Sequence, residues 1–198
     1  MSETIGLRER KKRERRRRIE DAAIELFDRN GFDATTIDQI AAAADIAPRT
    51  FFSYFDSKDD VVLADYADRL DRVIGVLRTR PAEEPAWTAL GASFAAVSSD
   101  FAAESDRLAR RFSIMAGTPS VHARSLQLQA GWEETISEQL ALRLGVGTDR
   151  PEPRLLAATA VAVMRSSLQH WLIRDREGSL PDVVQRAFDQ IGTGLTAL

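Results

Sequence analysis

Nine basic side chains, Arg8, Arg10, Lys11, Lys12, Arg13, Arg15, Arg16, Arg17 and Arg18, lie within the first 18 residues, against Glu3, Glu9 and Glu14. A segment of net charge +6 is suited to ionic contact with a polyanion. From charge alone, a solvated, charge-paired helical extension or a disordered tail explains it equally well. The remaining residues hold 18 bases and 27 acids, so the chain's net charge of −3 hides a body of −9.

Catalysis finds less to work with. The two histidines, His122 and His170, have no second histidine or carboxylate at i+3 or i+4. No G-x-S-x-G, P-loop or dinucleotide fingerprint is present. The chain has no cysteine, which excludes disulfides, thiolate zinc sites, iron–sulfur clusters and a cysteine nucleophile. The expectation is a non-enzyme with no metal and no cofactor.

A second constellation runs from Ile37 to Phe55. Thr36 caps a short helix, with Gln39 three residues on completing a capping box, and Ile40, Ala41 and Ala44 form its buried face. Asp45, Ile46 and Ala47 interrupt the pattern, and Pro48 then fits the first turn of another helix running to about Phe55. Ala41 is small enough for two helices to cross, Asp45 tolerates a left-handed turn, and Ile46 and Phe51 anchor the pair. Two short helices joined by a three-residue turn form a helix-turn-helix, a unit that lays its second helix in the DNA major groove.

The elements that must hold these residues read as helices throughout. Ile19, Ala22, Ala23, Leu26 and Phe27 fill a helical stripe that Gly31 ends, with Phe32 placed to fold back. Ser57 with Asp60 opens a long amphipathic helix, whose stripe of Leu63, Tyr66, Ala67, Leu70, Ile74 and Leu77 stops before Pro81. Pro85, Pro119, Pro151, Pro153 and Pro181 divide the rest into about five helices, near 86–101, 104–116, 119–145, 153–175 and 181–197. The fold class is all-α with about nine helices: a basic arm at 1–18, a helix-turn-helix domain at 19–62 and a larger bundle at 63–198. The longest uncharged stretch, Pro85 to Ser99, is 15 residues, short of the about 20 that a membrane span needs. Glu20 and Asp21 stand where a signal peptide would be apolar, so a cytoplasmic protein is expected.

The stretch Thr35 to Lys58, TTIDQIAAAADIAPRTFFSYFDSK, resembles the TetR family of transcriptional regulators. It carries the Thr pair, Ile-Ala, the turn, the Thr-aromatic-aromatic run, the aromatic-Phe pair and Ser-Lys. Three positions depart from that pattern: Asp45 for the usual Gly, Ala47 for the usual Ser cap, and Phe52 where a Tyr often contacts phosphate. The resemblance implies that Arg49, Thr50 and Ser53, after Pro48, face the groove. It implies that Thr36, Tyr54 and Lys58 touch phosphates, and that an arm including Arg15, Arg16, Arg17 and Arg18 follows the DNA backbone or the adjacent minor groove.

The resemblance further implies a homodimer formed by the last two helices, where Met164, Leu168, Trp171 and Phe188 are interface candidates. The ten-residue apolar run Leu155 to Met164 implies burial on nearly all sides, which intramolecular packing explains equally well. Arg107 to Trp132, RLARRFSIMAGTPSVHARSLQLQAGW, together with LLAATAVAVM, is similar to the mycofactocin-regulator-like subgroup, implying an acyl-CoA-like effector. Pocket candidates are Phe94, Phe101, Phe112, Met115, Gln127 and Trp132, with Arg110, Arg111 or Arg124 available to an anionic group. The expected function is a ligand-responsive repressor of a double-stranded palindromic operator. A ligand-independent architectural DNA-binding protein or a helical adaptor is the alternative.

Overall fold

The computed structural model describes residues 6–174 and 176–194, with only the backbone described at 100–103. Among the described residues there are ten α-helices and no strand. The chain divides into two compact units, one formed by residues up to Ala64 with Arg110–Ser125, the other by Asp65–Ala109 and the residues from Leu126 onward. Residues 110–125 thus belong with the N-terminal unit, beyond the division expected near residue 62.

In the first unit, α1 (Leu7–Asn30) already includes most of the basic arm, so residues 7–18 form a continuous helical extension of the first stripe. Gly31 ends it with φ 85°, a value that favours glycine, and its N–H bonds the Phe27 carbonyl at 2.9 Å. Phe32 then returns onto Phe27, with ring centroids 4.8 Å apart. α2 (Ile37–Ala43) and α3 (Pro48–Phe51) follow; α1 packs on α2 and on α4 (Lys58–Val62), and α2 packs on α3. Ile19, Ala23, Phe27, Ile40, Ala41, Phe51, Phe55 and Val61 are buried.

The expected long helix after Ser57 is two helices, α4 and α5 (Tyr66–Thr79), which is why the total is ten. The break has a physical cause. Val61, Val62, Leu63 and Ala64 are all buried, and four consecutive residues cannot share one face of a straight helix. Two main-chain carbonyls beside the break are taken up by arginines: Arg111 Nη1 donates to Val62 O at 3.0 Å and Arg16 Nη2 to Ala64 O at 3.0 Å.

The second unit is built on α5, α6 (Ala86–Ala103), α9 (Pro151–Ile173) and α10 (Leu180–Thr193), with α10 packed on α6 and α9. α7 (Ser105–Gly117) and α8 (Pro119–Leu144) contribute residues to both units. Phe94, Leu90, Ile136, Leu140, Ala160, Trp171, Val184 and Phe188 share its core. The Trp87 indole N–H donates to Phe188 O at 2.9 Å, and the Trp171 indole N–H to Gly178 O at 3.0 Å, so both polar edges are satisfied. No described helix is long and apolar enough to cross a membrane.

Gly91 sets how closely α6 and α10 approach. A Cβ there would lie 3.1 Å from Cβ and Cγ of Phe188, a side chain 1% exposed and unable to retreat. Gly91→Leu is therefore expected to lower the unfolding free energy by about 1–3 kcal/mol through overpacking, read as a shift of the urea midpoint. A loss under about 0.5 kcal/mol, within the range of an ordinary surface change, would mean that the two helices part easily.

Candidate nucleic-acid interface

The turn that aims α3 is local chemistry. The Thr36 hydroxyl accepts the Gln39 N–H at 3.2 Å while the Gln39 side chain accepts the Thr36 N–H at 2.8 Å, a full capping box on α2. Asp45 adopts φ 53°, the left-handed conformation the turn requires. Arg18 steadies it from α1, donating to Ala44 O and lying 3.8 Å from the Asp45 carboxylate.

α3 begins at Pro48 after Ala47, whose side chain supplies no cap. The regular helix ends at Phe51, but bonds from Ser53 N to Thr50 O and from Tyr54 N and Phe55 N to Phe51 O carry the helical turn to Phe55. Phe51 and Phe55 are buried, with ring centroids 5.7 Å apart. The outward side of the segment therefore carries Pro48, Arg49, Phe52 and Ser53, all exposed, with Thr50 and Tyr54 half-buried at its margins. Serine at the extended Ala47 position would accept a free N–H of the first turn. Ala47→Ser is expected to raise stability by about 1 kcal/mol, visible as a higher urea midpoint; no change would mean that Pro48 alone fixes the start of α3.

This outward side can donate to bases and phosphates. Arg49 has the planar fork that matches guanine O6 and N7, and Ser53, one turn on, has a hydroxyl. Thr36 is exposed, and its hydroxyl keeps a proton to donate while accepting from Gln39. Arg15, Arg17 and Arg18 are exposed on α1.

Two expected phosphate contacts have other work. Lys58 Nζ donates to Phe32 O and Thr35 O, each at 2.8 Å, and stands 4.6 Å from the centroid of the Phe32 ring. Its charge fastens the loop after α1 to the start of α4. Arg16 bonds Glu20 at 3.2 Å and Ala64 O at 3.0 Å, with its guanidinium 5.3 Å from the Phe55 centroid. Both cations hold the unit together.

The Arg16 contact leads to a feature that sequence reasoning missed. Glu20, 5% exposed, receives Arg16 on one oxygen and Arg111 on the other, the latter at 2.8 Å; Arg111 is 6% exposed. Glu20 is one turn before Ile24 and two before Phe27 on α1, so an acid on an apolar stripe was the available signal that a cation must meet it. Its partner 91 residues away left no local trace. Nearby, Ser120 donates to Asp59 at 2.8 Å and Arg124 lies 3.6 Å from Asp60, fixing the start of α8 on α4. Arg111 and Arg124 are thus committed within this unit.

The remaining candidates divide. Phe94 is core in the second unit, Trp132 packs against that core, and Gln127 is exposed; Phe112 and Met115, half-buried, belong to the first unit. Phe101 lies outside the residues whose side chains are described. Met164, Trp171 and Phe188 are not outward at all, being 6%, 3% and 1% exposed, with Leu168 half-buried against the same core. The open side of α9 carries Leu155, Thr159, Ser166, Gln169 and Ile173, with Ala162 half-buried and with Arg154, Arg165 and His170 also exposed on the helix; Leu155 and Ile173 are 65% and 76% exposed. The run from Leu155 to Met164 thus keeps an open side. Among the described residues no group of three or more His, Cys, Asp or Glu is placed to hold a metal ion.

Comparison with known proteins adds to this geometry. The profile of bacterial regulatory proteins of the tetR family matches residues 19–64, and the profile of the MftR C-terminal domain matches residues 84–196. The chain is 36% identical over 180 residues to a Mycobacterium tuberculosis protein named as the mycofactocin biosynthesis transcriptional regulator MftR, covering 91% of this chain and 90% of that one. It is 34% identical over 176 residues to the HTH-type transcriptional regulator TcmR of Streptomyces glaucescens, covering 85% and 78%. The structure of the regulator FadR from Bacillus subtilis in complex with stearoyl-CoA superposes with a TM-score of 0.63 at 17% identity, covering 90% of this chain and 98% of that one. At that identity the likeness speaks for the fold.

Proposed function

The chain belongs to the tetR family of bacterial regulatory proteins and is a DNA-binding transcriptional regulator, and from that premise we propose that it is a cytoplasmic repressor released from a palindromic operator by a largely apolar effector. The observation that carries the DNA reading is the outward side of α3, with Arg49 and Ser53 exposed beside a helix-borne row of basic residues on α1. Arg49 reads a base, Pro48, Thr50 and Ser53 line the approach, and Thr36, Tyr54, Arg15, Arg17 and Arg18 meet phosphates. The residues to Ala64 serve DNA and those beyond serve effector and twin.

The effector is an acyl compound, in keeping with the stearoyl-CoA held by a protein of similar fold. The physics supports a long chain: each buried CH₂ contributes about 0.8 kcal/mol, and turning a two-state equilibrium from 1:99 to 99:1 takes about 5.5 kcal/mol of differential affinity. The twin pairs across the outward face of α9, where Leu155 and Ile173 flank the small residues Thr159, Ala162 and Ser166. Sedimentation equilibrium at micromolar concentration should give twice the chain mass of 22.0 kDa; a monomer throughout would remove the dimer.

Selection from random DNA tests the reading as a whole. It should return an inverted repeat with half-sites about 34–36 Å apart, bound less tightly once stearoyl-CoA is added. Arg49→Ala should flatten the preference at one base pair per half-site by about 1–3 kcal/mol while leaving background binding in place. Recovery of no common sequence, or indifference to Arg49→Ala, would sink the proposed base contact.

A further inference from the structure

The outward side of the α3 segment is not polar throughout. Pro48, Arg49, Phe52 and Ser53 are all exposed, and their spacing sorts them into two rows. Arg49 and Ser53, four residues apart, make a polar row; Pro48 and Phe52, also four apart, make an apolar row beside it. Among the described residues of the first unit, only Leu7 and Phe52 are large apolar side chains left exposed, and Phe52, at 55%, is the one that stands beside Arg49.

A phenyl ring has no N–H or O–H to donate, so Phe52 makes no hydrogen bond to a phosphate. Nor is its place in the core, which Phe51 and Phe55 fill at 0% and 4% exposure. The Phe52 ring stands edge-on to Phe51, with centroids 5.6 Å apart. That contact seats the ring at the margin of the core and leaves its outer part to whatever the segment meets. In the major groove one base presents an apolar group, the C5-methyl of thymine. Taking that methyl and the ring out of water together is favourable, whereas the same ring against amino and carbonyl groups would strip them of water without replacing its hydrogen bonds.

We infer that Phe52 is a specificity-determining residue, its ring packing on the C5-methyl group of a thymine in each half-site. Side chains three residues apart on a helix have Cβ atoms about 5–6 Å apart, and successive bases are about 3.4 Å apart, so this thymine lies within about two base steps of the pair that Arg49 reads. The two rows then divide the readout, Arg49 by hydrogen bonds and Phe52 by apolar contact. The inference rests on the reading of α3 as the segment that enters the groove, and it names a base that this segment selects.

Uracil in place of thymine removes the methyl and keeps every hydrogen-bonding group. Duplexes of the sequence recovered by selection, with each thymine replaced in turn, therefore test the contact by fluorescence anisotropy on the full chain. The wild-type protein should bind about fourfold less tightly for each half-site that loses the critical methyl, the effect of one buried carbon. Phe52→Ala should bind the thymine and uracil duplexes alike. Phe52→Leu, which keeps an apolar tip, should retain part of the preference, and melting curves confirm that both variants are folded. Indifference of wild type to every uracil, or a methyl effect that survives Phe52→Ala, overturns the thymine contact; the groove reading still stands if Arg49→Ala flattens its own base pair. Tighter binding of all sequences alike by Phe52→Tyr places position 52 at a phosphate and overturns the thymine contact as well. Recovery of no common sequence by wild type overturns the groove reading and the thymine contact together.

Discussion

Replacing Glu20 by alanine should lower the unfolding free energy by about 3–5 kcal/mol, the cost of breaking a buried ion pair by removing one member. Glu20 and Arg111 have side chains only 7% and 6% exposed, 2.8 Å apart, so little solvent can screen what remains. Arg111 would keep its bond to Val62 O but lose the Glu20 carboxylate. Arg16, with a side chain 41% exposed, would recover much of its loss through hydration. Against a typical total of about 5–15 kcal/mol this is a large fraction, and for a chain of this size it corresponds to a melting temperature lower by about 6–20 °C.

The same reasoning separates this pair from a merely strong one. Glu20→Met with Arg111→Met removes both charges and should be less damaging than either single change, because apolar side chains of similar volume tolerate the site. Some loss should remain, since the Val62 carbonyl then lacks its donor and Arg16 still lacks its acid. Urea unfolding of the two single variants and the double variant gives the coupling directly. A single-variant loss under about 1 kcal/mol, the range of an exposed pair, would mean that water reaches this cluster.

What was legible in the sequence was chemistry completed over a few residues. The Thr36–Gln39 capping box, the positive φ of Asp45 and the ending at Gly31 each depend on neighbours within four positions, and each appears as expected. The break at Leu63 was not legible. Leu63, Tyr66, Leu70 and Ile74 keep helical spacing, and the arginines that meet the carbonyls beside the break lie about 50 residues away on either side, at 16 and 111. The structural contacts of Lys58 and Arg16 were hidden for a related reason: their partners include main-chain carbonyls, and a carbonyl has no residue identity to read. On α9 and α10 the difficulty is symmetry. An apolar stripe that faces its own core and one that faces a twin have the same period, so Met164, Trp171 and Phe188 gave no sign that they were already buried.

The second large effect lies in the basic part of α1. From Leu7 the extension is helical, and helix geometry puts Arg8 near Lys11 and Lys12, and Lys11 and Lys12 near Arg15. Such like-charged pairs oppose the helix, as do cations in its first turn, near the positive end of the helix dipole. Among the acids of this stretch, Glu9 meets Arg13 at 3.7 Å, both well exposed. A row of phosphates would relieve that repulsion, so DNA should stabilise the extension and gain affinity from it.

Deletion through residue 18 is a poor test, because it removes Arg16 from Glu20 and Ala64 and Arg18 from Ala44. Changing Arg8, Lys11, Lys12 and Arg15 to glutamine keeps helix propensity and those contacts while removing four charges. If each meets one phosphate, the slope of log K against log salt should lose about 3.6 per protomer, and the change in affinity between 50 and 200 mM salt should shrink by about two orders of magnitude for each protomer bound. Base preference should survive, because phosphate contacts carry no sequence information, and the melting temperature without DNA should hold or rise as repulsion falls. An unchanged slope, or a loss of affinity equal at every salt concentration, would show that the extension stays clear of the DNA and that its charge serves only to solvate it.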